Sequence, residues 1–449
     1  MAQDWCSMWP DRDSRSFALY DRALRVMPGG ITRIAPWQEP YPVYARSGEG
    51  CRITDVDGAV YVDFVNNFAS LIHGHAHPAI VEAVTRQIQL GTAFTMPTES
   101  EVLLAELLCQ RVASFDSVRF CNSGSEAVML AIKAARSHMG RSKIAKIEGA
   151  YHGMYDYAEV SLDPTPREWG NDPLPIGYAR GTPKGVLDDV VVIPFNQPSA
   201  AARILDAHGP ELAAVLLDVM PTHVGTVAAT QEFLAVVVDA ARRSGALLVL
   251  DEVISFRLGY SGGQGIFGLS PDLTVLAKII GGGFPVGAVA GKAEVMAVFD
   301  HRAGKPLMPS SGTFTANPVT MTAGLASMQL LTPEAFVELD GLGDHARRAI
   351  ARAIAASGYP AQVTGMGSIF QLHLHRRPIS DYRSAFPEPG EASALRLLQQ
   401  RLLRRGYLVS ASGGGFLPTV MPLSVIDSFA AALGDELAAI ARGAAVAPA

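Results

Sequence analysis

Between residues 66 and 325, short and wholly apolar runs alternate with segments of helical periodicity. The runs 212–217 and 246–250 carry no polar residue at either parity, so as strands they must be buried on both faces. A sheet with one wet face cannot use such strands, whereas a mostly parallel sheet layered between helices can. The predicted class is therefore α/β. With 449 residues, of which 49% are hydrophobic and 18% charged, the chain has the apolar content for two or three packed units.

The flanking segments read differently. Residues 12–27 carry Phe17, Tyr20, Ala23, Leu24 and Met27 at helical spacing before the breaker Pro28-Gly29-Gly30. Residues 50–63 hold two short alternating runs around Asp57-Gly58, a hairpin signature. Beyond 325, helical patterns at 333–339, 345–356 and 391–405 surround strand candidates near 368–375 and 407–410. We therefore expect an N-terminal segment (1–65) contributing to a small α+β domain, a large domain (66–325), and a C-terminal part of the small domain (326–449). Residues 163–189, crowded with Pro and Gly, predict a long surface loop. The end from Arg442 is alanine-rich and expected to fray.

A net charge of −6, with Lys and Arg scattered, leaves no footprint for nucleic acid or an acidic membrane. Small molecules are the expected partners. The start, residues 1–10, lacks the basic flank and apolar core of a signal peptide, and no later run reaches spanning length. Cys6, Cys51, Cys109 and Cys121 lack the paired spacing of a disulfide framework or zinc cluster. These features predict a cytoplasmic protein with reduced thiols.

Two apolar runs end in ionisable residues. The run 247–250 delivers Asp251, and the run 273–277 delivers Lys278, followed by Gly281-Gly282-Gly283. Ligands of open α/β sheets sit at such strand ends. Singly, an aspartate there is more often a cap or turn former and a lysine a solvated end. A third feature raises the joint reading above those: Asn122-Ser123-Gly124-Ser125-Glu126-Ala127 follows a strand candidate and opens a long helical pattern, where free amides and hydroxyls suit a phosphate. An amine, a carboxylate and a phosphate cradle are what pyridoxal 5′-phosphate (PLP) requires. His73, His75 and His77 alternate before Pro78 without a joining Cys or carboxylate set, so turn packing outweighs metal binding, and no metal is expected. Gly263 to Gly268 matches G-x-G-x-x-G, yet no strand ends before it, which makes a dinucleotide site weak.

Taken with His73 to Pro78, Tyr151-His152-Gly153, Asp251-Glu252-Val253, Lys278 to Gly283 and Ser311-Gly312-Thr313-Phe314, the chain resembles class III aminotransferases of PLP fold type I. The resemblance is to the branch of glutamate-1-semialdehyde aminomutase, close to β-phenylalanine aminotransferases. It implies a large domain with a mostly parallel seven-stranded sheet and a smaller α+β domain. It also implies that Ser123, Gly124 and Ser125 bind the phosphate, and that Tyr151 lies on one ring face with His152 beside it. Asp251 then pairs with the pyridine nitrogen, Val253 packs on the other face, and Lys278 is the Schiff-base lysine and proton carrier. A homodimer with shared sites is implied, Thr313 reaching the partner's phosphate.

Departures from the aminomutase pattern guide the choice of reaction. That enzyme carries an arginine eight residues after the proline of Pro-Gly-Gly, where this chain has Pro36; Arg33 lies at the fifth. This placement, and the short stretch Asp251 to Arg257, are similar to aromatic β-amino-acid aminotransferases, in which the arginine grips the substrate carboxylate. The aminomutase's late glutamate has no counterpart in 410–417, and Gly414 stands where the β-phenylalanine enzymes have an arginine. The segment Asp218-Val219-Met220-Pro221-Thr222-His223 replaces the usual Glu-Pro strand end. The leading expectation is transfer of an amino group from an amino acid, foremost a β-amino acid, through pyridoxamine phosphate to a keto acid. The alternatives are a glutamate-1-semialdehyde 2,1-aminomutase-type isomerase or an amino-acid racemase, and a noncatalytic PLP-binding protein.

Overall fold

The computed structural model describes residues 9–302 and 304–443. Cys6, most of the 1–10 start and the alanine-rich end from 444 lie outside the described residues. The chain divides into two compact units: a smaller one of residues up to Pro78, Val337–Arg377 and from Pro387, and a larger one of Ala79–Phe336 and Pro378–Phe386. Where breaks near 65 and 325 are expected from sequence, the units part at 78 and 336, and 378–386 returns to the larger unit because its side chains bond there.

In the smaller unit, β1 (Ala45–Glu49), β2 (Arg52–Asp55) and β3 (Val60–Asp63) form an antiparallel meander. Its hairpin turn is held by Asp55, whose Oδ1 accepts the amides of Asp57 and Ala59 at 2.9 and 2.8 Å.

The larger unit holds β4 (Ser117–Cys121), β5 (Lys143–Ile147), β6 (Val190–Ile193), β7 (Leu212–Leu217), β8 (Leu247–Asp251), β9 (Leu273–Ala277) and β10 (Gly287–Gly291). They form one seven-stranded sheet in the order β4-β10-β9-β8-β7-β5-β6. Every pairing is parallel except those of β10, which runs against β4 and β9. All residues of β6 to β10 are buried, as the wholly apolar runs require. The helix Gly124–Met139 packs on β7, β9 and β10, and Gln231–Ser244 packs on β7 and β8. Each burial of a leucine or valine between these layers is worth about 1.5–3 kcal/mol, which makes the sheet the stable platform from which strand ends project.

The smaller unit is completed by β11 (Gln362–Thr364), β12 (Ile369–His373) and β14 (Gly414–Phe416) in a three-stranded sheet, and by β13 (Tyr407–Leu408), which pairs parallel to β3. The helix Leu423–Ala441 buries Ile426, Phe429, Leu433 and Leu437, and the Phe429 ring lies 4.4 Å from that of Phe64. The two helical patterns expected at 333–339 and 345–356 are one continuous helix, Pro333–Ser357. Gly341 and Gly343 read as a break, but Gly343 serves close packing: a Cβ there would lie 1.7 Å from the Gly367 carbonyl oxygen. The 12–27 pattern is the helix Arg15–Leu24 followed by a 3-10 turn at Pro28–Gly30, and the 163–189 loop contains a short helix, Lys184–Asp188.

Candidate active site

Three adjacent parallel strands of the larger unit end in ionisable groups. Asp218 follows β7, Asp251 closes β8 and Lys278 follows β9. The register sets Leu217 against Leu250, so Asp218 and Asp251 leave the sheet side by side, roughly 5 Å apart across the strand direction. Lys278 adopts φ 53°, a left-handed conformation that costs a residue with a Cβ about 1–2 kcal/mol. The strained backbone sits at a strand end beside two acids, which makes Lys278 a candidate functional amine.

Burial pulls the Lys278 amine down to about 8; Asp251 and then Asp218 oppose that shift, and Arg257 adds to it. Burial thus favours the neutral, nucleophilic form of this amine relative to an ordinary lysine. Asp251 is buried and doubly held: its Oδ1 accepts the Val253 amide at 2.9 Å, and its Oδ2 lies 2.7 Å from His152 Nδ1. Burial lowers the His152 pKa against the raising pull of Asp251. With Nδ1 facing Asp251, the buried Nε2 has no hydrogen-bond partner.

The cradle is built from the start of the helix Gly124–Met139. Ser123 caps it by accepting the Glu126 amide at 3.1 Å, and the Glu126 carboxylate accepts the Asn122 amide at 2.5 Å. First-turn amides have no intrahelical partner and point outward with the positive end of the helix dipole. The turn 151–154 lies against this start. Gly153 has φ +87°, and a Cβ there would come within 2.5 Å of Ser125 Oγ, which accepts the Met154 amide at 3.1 Å. A Cβ on Gly124 would press on Val253 at 3.2 Å and Ala277 at 3.4 Å, so the helix start sits directly over the ends of β8 and β9. The exposed Tyr151 ring stacks on His223, centroids 5.4 Å apart at 19°.

Ser123, Gly124, Ser125, Tyr151, His152, Asp251, Val253 and Lys278 thus all belong to the larger unit, and the contacts above link them around the ends of β8 and β9. Thr313 is exposed on the same unit, two residues before Thr315, whose Oγ1 lies 3.4 Å from Asn122 Nδ2. Arg33 belongs to the smaller unit, where its guanidinium donates to Asn67 Oδ1 at 2.9 Å and lies 5.2 Å over the Phe68 ring. Of the three histidines, His75 pairs with Asp63 at 2.8 Å and His73 with Thr419 at 3.0 Å. Among the described residues, no group of three His, Cys, Asp or Glu side chains is placed to hold a metal. The G-x-G-x-x-G stretch lies in the short helix Gly262–Phe267 and its following cap, and the Gln264 amide donates to the buried Glu252 carboxylate at 2.5 Å.

Sequence reasoning noted the Asp218 segment without giving Asp218 a role. The signal was present, since Asp218 ends an apolar run as Asp251 and Lys278 do. Burial, then the neighbouring Asp251, pushes the Asp218 carboxyl up to about 8, against the lowering pull of the Met220 amide and Lys278. A carboxyl raised in the fold gives stability that is full below its unfolded pKa and lost as pH rises through the folded value. Asp218→Asn is therefore expected to stabilise the cofactor-free protein progressively more between about pH 4 and 8, then level off. Thermal melting across that range checks it, and a pH-independent difference would refute the protonated acid.

A mostly parallel seven-stranded sheet with an amine, a carboxylate and a helix start at its carboxyl edge defines a PLP enzyme of fold type I. The chain belongs to the class III aminotransferase family, whose model, Aminotransferase class-III, matches residues 33–440. It is similar to the glutamate-1-semialdehyde 2,1-aminomutase of Methanothermobacter thermautotrophicus, with 36% identity over 83% of this chain and 86% of that protein. An omega-transaminase from Sphaerobacter thermophilus superposes with TM-score 0.93 at 48% identity, covering 95% of this chain and 98% of that one. A β-phenylalanine aminotransferase from Variovorax paradoxus superposes with TM-score 0.84 at 33% identity, covering 94% and 93%. The protein is a PLP-dependent enzyme, and its residues fit the cofactor. The start of the helix Gly124–Met139, with its positive dipole end, suits a phosphate, and the buried His152 Nε2 without a hydrogen-bond partner and the buried Lys278 amine are polar groups that a ligand could meet. Among the described residues, no helix is long and apolar enough to cross a membrane.

Proposed function

We propose that this enzyme is a transaminase that takes the amino group of a β-amino acid and passes it to a keto acid. Arg33 carries the choice. It stands five residues after Pro28, the placement that marks aromatic β-amino-acid aminotransferases, and its exposed guanidinium is a planar fork suited to a carboxylate. The neighbours named as transaminases, one of them for β-phenylalanine, support the same reading.

PLP, when bound, supplies an electron sink for the carbanion formed beside the transferred amino group. Ser123, Gly124 and Ser125 bind its phosphate. Asp251 holds a proton at the pyridine nitrogen, and His152 orients Asp251 through Nδ1. Tyr151 and Val253 would pack against the PLP ring. Lys278 anchors the cofactor and then moves the substrate proton on its Nζ. Two copies share their sites, Thr313 of one copy reaching the phosphate held by the other. The exposed Leu90, Met96, Leu307 and Phe314 of the larger unit are in keeping with such a dimer, which the mass in solution tests. The free Cys51, Cys109 and Cys121 are in keeping with a cytoplasmic setting.

The second reading is an aminomutase, favoured by the curated relative's name. The test adds β-phenylalanine to the PLP-loaded enzyme without a keto acid. Conversion of the visible cofactor band to the amine form, with release of the keto acid, supports transamination. A reaction that returns the amino group to its own carbon skeleton supports the mutase. With Arg33→Ala, kcat/KM for β-phenylalanine should fall by about 10–100-fold while phenylethylamine changes little, as for loss of a charged hydrogen bond. Equal losses for both donors would remove Arg33 from substrate binding.

A further inference from the structure

The turn that carries Tyr151 and His152 is gripped by a segment more than two hundred residues away in sequence. At the exit of β5, Glu148 is 3% exposed. Arg383 meets it as a fork, Nε to Oε2 and Nη2 to Oε1, both at 2.9 Å. The same guanidinium donates to the Gly170 carbonyl at 2.7 Å and lies 5.3 Å from the Trp169 ring centroid. Next to it, Tyr382 is buried and fills the space over Gly149, where a Cβ would lie 2.0 Å from the ring. The Tyr382 hydroxyl lies 3.0 Å from Asp163 Oδ1 and 3.1 Å from the Pro164 carbonyl. Arg383 and Tyr382 sit in a one-turn helix, Tyr382–Ala385, closed by a capping box between Asp381 and Ser384.

Bonds from 380 and 381 complete the grip. Asn196 donates to the Ser380 carbonyl at 3.1 Å, and Gln197 to Asp381 at 2.7 Å. A buried carboxylate met by a bidentate guanidinium fixes orientation as well as charge, because two parallel hydrogen bonds admit one relative geometry. The fixed element is backbone 148–149, and Tyr151 and His152 follow it two and three positions on.

We propose that 378–386 is a positioning clasp: Arg383 and Tyr382 set the Glu148-Gly149 turn and thereby the placement of Tyr151 against the cofactor ring and of His152 against Asp251. Together the two residues contact Glu148, Gly149, Asp163, Pro164, Trp169 and Gly170, so both act through the turn. The inference rests on Tyr151 and His152 being the ring-side pair of the proposed function.

The test uses the full-length holoenzyme. Arg383→Lys keeps the charge and loses the fork. The double variant Glu148→Gln with Arg383→Gln removes both charges, so folding is not threatened by a stranded buried carboxylate. Two quantities are read: the circular dichroism of the bound cofactor's visible band, which reports a fixed ring orientation, and the rate of PLP loss on dialysis. In both variants the dichroic intensity is expected to fall by about half or more and PLP loss to accelerate about tenfold, as displacement of positioning groups by a fraction of an ångström requires. Variants that melt lower yet keep both quantities within about twofold would leave 378–386 a structural brace and overturn the proposal. Tyr151→Ala is the control. If it leaves the dichroism unchanged, the ring-side assignment fails and the clasp with it; if it abolishes the signal while the Arg383 variants keep theirs, the clasp alone fails.

Discussion

Lys278→Ala is expected to lower turnover by at least about 10⁴-fold while the protein remains folded, because in the proposed function one side chain serves as both covalent anchor and proton carrier. Proton transfer by a positioned group is worth about 10²–10⁴ alone, and losing the anchor removes the second contribution. The fold should tolerate the change. The amine is disfavoured in its charged form by burial, so removing it relieves a penalty at neutral pH. The chemical readout is independent of activity: borohydride treatment of the PLP-loaded parent should fix the cofactor to the peptide carrying residue 278, and the alanine variant should yield no such adduct. A reducible link at the same peptide in the variant would mean that another amine anchors the cofactor.

The larger unit was legible in sequence because its strands announce themselves. Leu212–Leu217 is apolar at both parities, as are Leu247–Asp251 up to its terminal Asp251 and Leu273–Ala277 apart from Thr274, and the two-sided burial this demands is what a sheet between helices provides. Their terminal charges could be read for the same reason, since nothing apolar explains an Asp or Lys at the end of such a run. Other features left no local trace. The reversed direction of β10 depends on pairing with β4, some 170 residues earlier, and a Gly-Ala-Val-Ala-Gly strand reads alike in either direction. Gly343 of the helix Pro333–Ser357 carries a helix-breaking propensity that close packing against Gly367 offsets, a contact that sequence does not announce. Glu148 and Arg383 look like ordinary charged residues until the chain returns at 378–386 and buries one against the other. Arg33 was singled out by its distance from Pro28, a property of sequence that its bond to Asn67 neither supplies nor removes.

Asp251→Asn is the substitution expected to come next in size, with kcat/KM falling by about 10³-fold, or about 4 kcal/mol. The two side chains have nearly the same shape, so packing beside Val253 survives and the loss reports charge and hydrogen-bond polarity. Asp251 accepts on both oxygens, from the Val253 amide on Oδ1 and from His152 Nδ1 on Oδ2. Asparagine has one acceptor oxygen. Turned towards Val253, it sets its NH2 against His152, and the imidazole must move its proton to Nε2 or lose the bond. Turned towards His152, it sets two N–H groups face to face at Val253. Either way the group proposed to hold a proton at the cofactor nitrogen is neutral and less firmly placed. His152→Ala keeps the carboxylate and removes only its orienting partner, so a smaller fall of about 10-fold is expected. Steady-state kinetics on the three proteins, with the visible cofactor spectrum recorded for each, separates charge from orientation. If Asp251→Asn and His152→Ala lose the same amount, then the carboxylate acts only through its geometry and the proton at the cofactor nitrogen is held by some other group.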